Sequence, residues 1–109
     1  MTVFIIQEMR GRDISDASEF GDLEILLPAK EQASFSTAPT IRKMVRSLSK
    51  FSDEDYLLLA GDPAGIAIAG ALAAQNNRGY FKMLKWDRLD KKYYPLEVNL
   101  NQKLGGKSE

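Results

Sequence analysis

Cysteine and histidine are both missing from the 109 residues. Without them there is no disulfide, no thiolate zinc site, no cysteine nucleophile and no Ser-His-Asp relay. A metal would have to be a hard ion held by carboxylates, and a general base would have to be Asp, Glu, Lys or Tyr with a shifted pKa. Cysteine counting leaves the redox compartment open. An excess of one charge is missing too: fifteen basic residues face fifteen acidic ones, so nothing global draws the chain to nucleic acid or to an anionic membrane. The opening "MTVFIIQEM" has no basic leader and only a short apolar run, Val3 to Ile6, so no signal peptide is expected. The longest apolar stretch, Leu57 to Ala74, is interrupted by Asp62-Pro63, and the remainder is too short to span a bilayer.

What is present is the balance of a globular protein, with 44% apolar and 28% charged residues. One domain over residues 1–100 with a frayed tail, 101–109, is expected. The charge is unevenly spread. Residues 1–36 hold three basic and seven acidic groups, and residues 62–109 hold eight basic and five acidic. This reads as a solvated surface, or as a bipolar molecule that steers a partner or pairs with itself.

Val3–Gln7 is β-branched and apolar, a first strand. Residues 8–21 read as a polar loop with one helical turn. Leu23–Leu27 follows as a short strand stopped by Pro28. Ser36-Thr-Ala-Pro39 is a helix start, since a hydroxyl caps free N–H groups and proline suits the first turn. Ile41, Met44, Val45 and Leu48 then form one apolar stripe, with Arg42, Lys43, Arg46 and Lys50 mainly off it. Tyr56–Ala60 does not alternate and reads as a central strand covered on both faces. Asp62 caps and Pro63 begins an alanine-rich helix to about Gln75, in which Gly65 and Gly70 predict close approach by a neighbour. Asn76-Asn-Arg-Gly79 ends it.

Tyr80–Trp86 alternates, with Tyr80, Lys82, Leu84 and Trp86 on one face. The strand 92–100 returns after a polar turn, and Pro95 marks it as an edge. The order β-β-α-β-α-β-β predicts an α/β domain, bordering on α+β. It has a single mixed sheet of about five strands, two helices and a C-terminal antiparallel hairpin.

"YLLLAGDPAG", residues 56–65, is a strand, a glycine turn and a helix start, the arrangement that holds phosphates. Gly65 and Gly70 have P-loop spacing, but Ala71-Leu72 stand where Lys and Ser/Thr are required, and no dinucleotide fingerprint is present. Gly61, Asp62 and Gly65 are thus a candidate ligand turn, with a structural N-cap at Asp62 the preferred reading. Gly61-Asp-Pro63 also resembles the loop with which tetrapyrrole methylases hold S-adenosylmethionine. Three residues do not carry that activity over, and no cofactor is expected. Asp13, Asp16, Glu19, Asp22 and Glu24 do not match a calcium loop, and no metal is expected.

The most suggestive stretch is "GYFKMLKWDRLDKKYYPLEV". Arg78, Tyr80, Lys82, Lys85, Trp86, Arg88 and Tyr93 interleave aromatic and basic groups, the ingredients of single-strand nucleic-acid binding. The competing reading packs the aromatics on the core and leaves lysines to protect an edge strand. The pattern of a strand ending in Gly-Asp-Pro, an alanine-rich helix and "LKWDR…YYPLEV" over residues 55–100 resembles small uncharacterised proteins of bacterial viruses, notably those of marine cyanobacteria. The resemblance implies a protein made in a bacterial host's cytoplasm and no named activity. The expected function is non-enzymatic, by binding a protein partner or a second copy, through the hairpin with the basic helix 40–51 nearby. Nucleic-acid binding by residues 78–94 is the alternative, and a small anionic ligand at Gly61–Gly65 the second alternative.

Overall fold

The computed structural model describes residues 1–11, 13–29 and 38–101. The elements are β1 (Thr2–Gln7), a 3-10 helix (Ser15–Phe20), β2 (Asp22–Leu27), α1 (Ala38–Leu48), β3 (Tyr56–Leu58), α2 (Pro63–Asn76), β4 (Tyr80–Asp87) and β5 (Lys92–Asn99). The strands form one sheet in the order β2-β1-β3-β4-β5. β1 pairs in parallel with β2 and β3, β3 pairs in parallel with β4, and β5 returns antiparallel to β4. The mixed sheet, two helices and final hairpin are those expected from the residues. The hydroxyl cap at Ser36-Thr37 and the tail from 102 onward lie outside the described residues, and Asn101 is anchored, its Nδ2 donating to the Arg78 carbonyl at 2.6 Å.

Alternation along β1 splits the core into two. Phe4 and Ile6 face Met44 and Leu48 of α1 and Ala69 and Ala73 of α2, while Val3 and Ile5 face Ala17 of the 3-10 helix together with Leu58, Leu84 and Tyr93. Both helices therefore cover one face, and six residues of 3-10 helix serve the other. Burying each large β1 side chain contributes about 1.5–3 kcal/mol, so this short strand is the centre of the stability.

Three details depart from the sequence reading. β3 ends at Leu58, and a tight turn follows in which the Ala60 N–H bonds back to the Leu58 carbonyl at 2.9 Å. On α1 the buried line is Thr40, Met44 and Leu48, and Ile41 and Val45 are exposed. The helix meets the sheet along a line one residue wide per turn, which leaves its shoulder in water. On α2 the buried residues are Gly65, Ala69 and Ala73, whereas a Cβ at Gly70 would meet nothing within 4 Å. Among the described residues the expected close neighbour at Gly70 is absent.

The connection leaving β1 runs on the 3-10 face and the one leaving β3 runs on the helix face, so the strand order reverses between their carboxyl ends. Gln7, 2% exposed, spans that point. Its Nε2 donates to the Pro28 carbonyl at 3.3 Å, and its Oε1 accepts the Asp62 N–H at 2.8 Å. Gly61 has φ +113°, and a Cβ there would collide with the Gln7 side chain. At the opposite end Asp55 is buried, accepting the Thr2 N–H at 2.8 Å, the Ser52 N–H at 2.9 Å and the Ser52 hydroxyl at 3.1 Å.

Two substitutions test this account with opposite signs. Gln7→Ala should lower unfolding free energy in urea by about 2–3 kcal/mol, because it strands the Asp62 N–H and opens a cavity. Gly70→Ala should raise it by about 0.5–1 kcal/mol, because the site is open and helical.

Candidate interaction surfaces

At the Gly61–Gly65 turn every polar group of Asp62 is engaged. The Asp62 carboxylate accepts the Ala64 N–H at 2.9 Å, its carbonyl accepts the Ile66 N–H at 3.1 Å, and its own N–H goes to Gln7. Pro63 needs no partner at the first helical position, and Gly65 is buried. The N-terminus of α2 thus carries its own anion.

The hairpin residues do not converge on one surface. Tyr80, Lys82 and Trp86 share the 3-10 face with Tyr93, the cross-strand partner of Trp86. Lys85 lies on the helix face opposite Tyr94, Arg88 is exposed in the hairpin turn, and Arg78 is exposed before the other end of β4. The two arginines are separated by a whole strand, about 25 Å. Tyr93 is 6% exposed and meets the half-buried Trp86 edge to face, with ring centroids 4.9 Å apart. The Lys82 ammonium sits 4.3 Å from the centre of the Tyr56 ring. The basic helix is not adjacent: α1 packs on α2 and β2, at the other side of the sheet from β5.

A polar cleft of about 380 Å³ opens at the amino ends of the parallel strands, lined by Asp53, Asn77, Arg78, Tyr80, Asn99 and Asn101. Its amides are engaged in holding the turn. Asn77 Nδ2 donates to Asp53 Oδ1 and to the Tyr80 carbonyl, both at 2.8 Å. That grip keeps Arg78 in the left-handed region, at φ 57°. Partial burial, and after it the negative charge of Glu97 on the neighbouring strand, hold the Tyr80 pKa above the usual tyrosine range. Among the acids near the amino end, Asp13 accepts the Ser15 N–H at 2.9 Å, which holds its carboxyl below the usual range. Among the described residues no three carboxylates are grouped to hold a metal.

A surface that the sequence reading missed is the outer edge of β2. Leu23 and Ile25 are 38% and 45% exposed although they are register partners of the fully buried Val3 and Ile5. No strand lies beyond β2 among the described residues. Asp22 donates its N–H inward to the Met1 carbonyl at 3.0 Å. Strand periodicity then turns the N–H and C=O groups of Leu23 and Ile25 outward. Glu24 is held from the helix side by Lys50, at 3.2 Å. The opposite edge, β5, is blunted by Pro95 and Lys92. The signal was present in Leu23-Glu-Ile-Leu-Leu27, which has neither lysine nor proline, but only the strand order shows that this strand is an edge.

Sheet and crossovers make the chain a small α/β domain built on one mixed five-stranded sheet. It belongs to a phage family, described as Phage Pam3 gp32-like protein, which matches residues 1–100. No curated protein and no solved structure matches it. No helix among the described residues is long and apolar enough to cross a membrane.

The cleft electrostatics have a direct check. Glu97→Gln should move the Tyr80 titration part of the way toward the ordinary tyrosine value, read by ultraviolet difference spectra against a Tyr80→Phe control; an unchanged midpoint would refute the influence of the carboxylate.

Proposed function

We propose that this phage protein acts by binding another macromolecule rather than by catalysis, with the open edge of β2 as the docking strand. The observation that carries the reading is the pairing of exposed apolar side chains with outward backbone groups at Leu23 and Ile25. Added strands gain main-chain hydrogen bonds from such an edge and specificity from alternate side chains. Natural edges that are not used carry lysine, proline or a bulge, as β5 does and β2 does not. The likeness of residues 55–100 to proteins of marine cyanobacterial viruses supports action in the cytoplasm of such a host.

The hairpin receives less support as a nucleic-acid platform. Its Trp86 and Tyr93 pack against each other, and its cations point to different sides. The Gly61–Gly65 turn receives less as a ligand loop, because Asp62 caps its helix.

Affinity purification from infected cells tests the reading. Ile25→Pro removes an outward N–H without removing a bond to β1, so the fold should persist, with an unfolding midpoint within a few degrees of wild type, while the bound partner is lost. A Lys85→Ala, Arg88→Ala double variant should keep it. The reverse pattern would move the docking surface to the hairpin, and full retention by both variants would refute a role for either.

A further inference from the structure

Independently of the docking strand, we infer that the groove around Arg78 is a binding site for a free α-amino acid. The polar cleft beside Tyr80 does not end at Arg78. A second cleft of about 450 Å³ continues from it, lined by Met1, Ser52 and Glu54 and sharing Asp53, Asn77 and Arg78 with the first. Arg78 therefore stands in the middle of one groove, with Tyr80 toward one end and Glu54 toward the other.

The backbone does not favour arginine at this position. At φ 57° glycine or asparagine is the more stable choice, and neighbours impose the conformation. The Arg78 carbonyl accepts Asn101 Nδ2 at 2.6 Å, and the Gly79 N–H reaches the Ala74 carbonyl at 2.7 Å. The fold itself makes no use of the side chain: the guanidinium has no hydrogen-bond or ion-pair partner among the described residues. A strained backbone that presents an unused charged group in a cleft points to a ligand.

The charges around Arg78 select that ligand. Asp53 and Glu54 line the groove with it, yet neither carboxylate forms an ion pair with the guanidinium. Asn77 Nδ2 donates to Asp53 Oδ1 at 2.8 Å, which leaves Oδ2 without a partner among the described residues. Glu97 and Lys82, the next charges along the hairpin, are register partners and offset each other. One cation and two anions held apart in one groove match a molecule that carries both signs a few bonds apart. A carboxylate suits the planar guanidinium through two parallel hydrogen bonds, and an ammonium suits the open oxygens of Asp53 and Glu54. A simple anion would meet two carboxylates, and a simple cation would meet the guanidinium, so each is repelled by a group that the zwitterion satisfies. Tyr80 supplies the aromatic wall, on which an apolar or aromatic side chain stacks. Its phenol, held above the usual range, stays neutral and adds no further anion.

L-phenylalanine, 3-phenylpropionate and 2-phenylethylamine are titrated into the full chain and followed by amide NMR. Phenylalanine should shift resonances of residues 53–54, 77–80 and 99–101 with a Kd of about 1 mM or tighter. Each analogue lacks one charge and should bind at least about tenfold more weakly. Arg78→Gly should weaken phenylalanine binding at least about tenfold while the unfolding midpoint stays level or rises, because glycine fits φ 57°. Asp53→Asn with Glu54→Gln should bring phenylalanine down to the level of phenylpropionate. Phenylpropionate binding as tightly as phenylalanine would make this an anion site, and phenylethylamine doing so would make it a cation site. Either result overturns the inference, as does the absence of shifts in the groove at about 10 mM phenylalanine. None of these outcomes bears on the β2 edge, whose test is the Ile25→Pro purification.

Discussion

The Gln7 carboxamide is the interaction on which the rest of this structure depends. A buried amide without partners costs about 1–3 kcal/mol, so its position is tolerable only because both ends are engaged. Its donor end fixes the chain leaving β2 and its acceptor end fixes the chain leaving β3. β1 thereby ties together the carboxyl ends of its two neighbours. Gly61 follows from this: the backbone must pass where a Cβ would strike Gln7, and its φ of +113° is one that side chains resist. Asp62, delivered by that turn, then caps α2. The Gly-Asp-Pro sequence is the covalent record of one buried hydrogen bond, made fifty-five positions away.

With its carboxyl ends closed in this way and Asp55 fastening the amino ends, the centre of the sheet is rigid and its margins differ. The helix face has two helices to cover it. The other face has a six-residue 3-10 helix, which reaches Val3 and Ile5 but leaves Leu23 and Ile25 partly exposed. One margin is sealed by a hairpin with proline and lysine, the other ends in a plain strand.

Much of the fold was legible because its signals are local. The alternation in Tyr80–Trp86 gave the face of each hairpin residue, Asp62-Pro63 gave the start of α2, and Pro95 gave an edge. The misreadings came from non-local facts. Ile41 and Val45 fit a stripe by spacing, but how wide a stripe is buried depends on the surface it meets. Gly70 looked like a contact point, and among the described residues none approaches it. That Tyr93 is buried edge to face against Trp86 is likewise set by pairing across the hairpin.

The sequence by itself determined the kinds and order of elements, because helix caps, glycine turns and side-chain alternation act within a few residues. It also fixed the chemistry that is out of reach, since a chain without cysteine or histidine has no thiolate or imidazole to offer. Only the tertiary structure decided that β2 is an edge. Strand order is set by pairings between residues far apart in the chain, Val3 with Leu23 on one side and Tyr56 on the other. Whether Leu23 and Ile25 are core or surface turns on that order alone, because the same alternating strand is buried with neighbours on both sides and exposed with one.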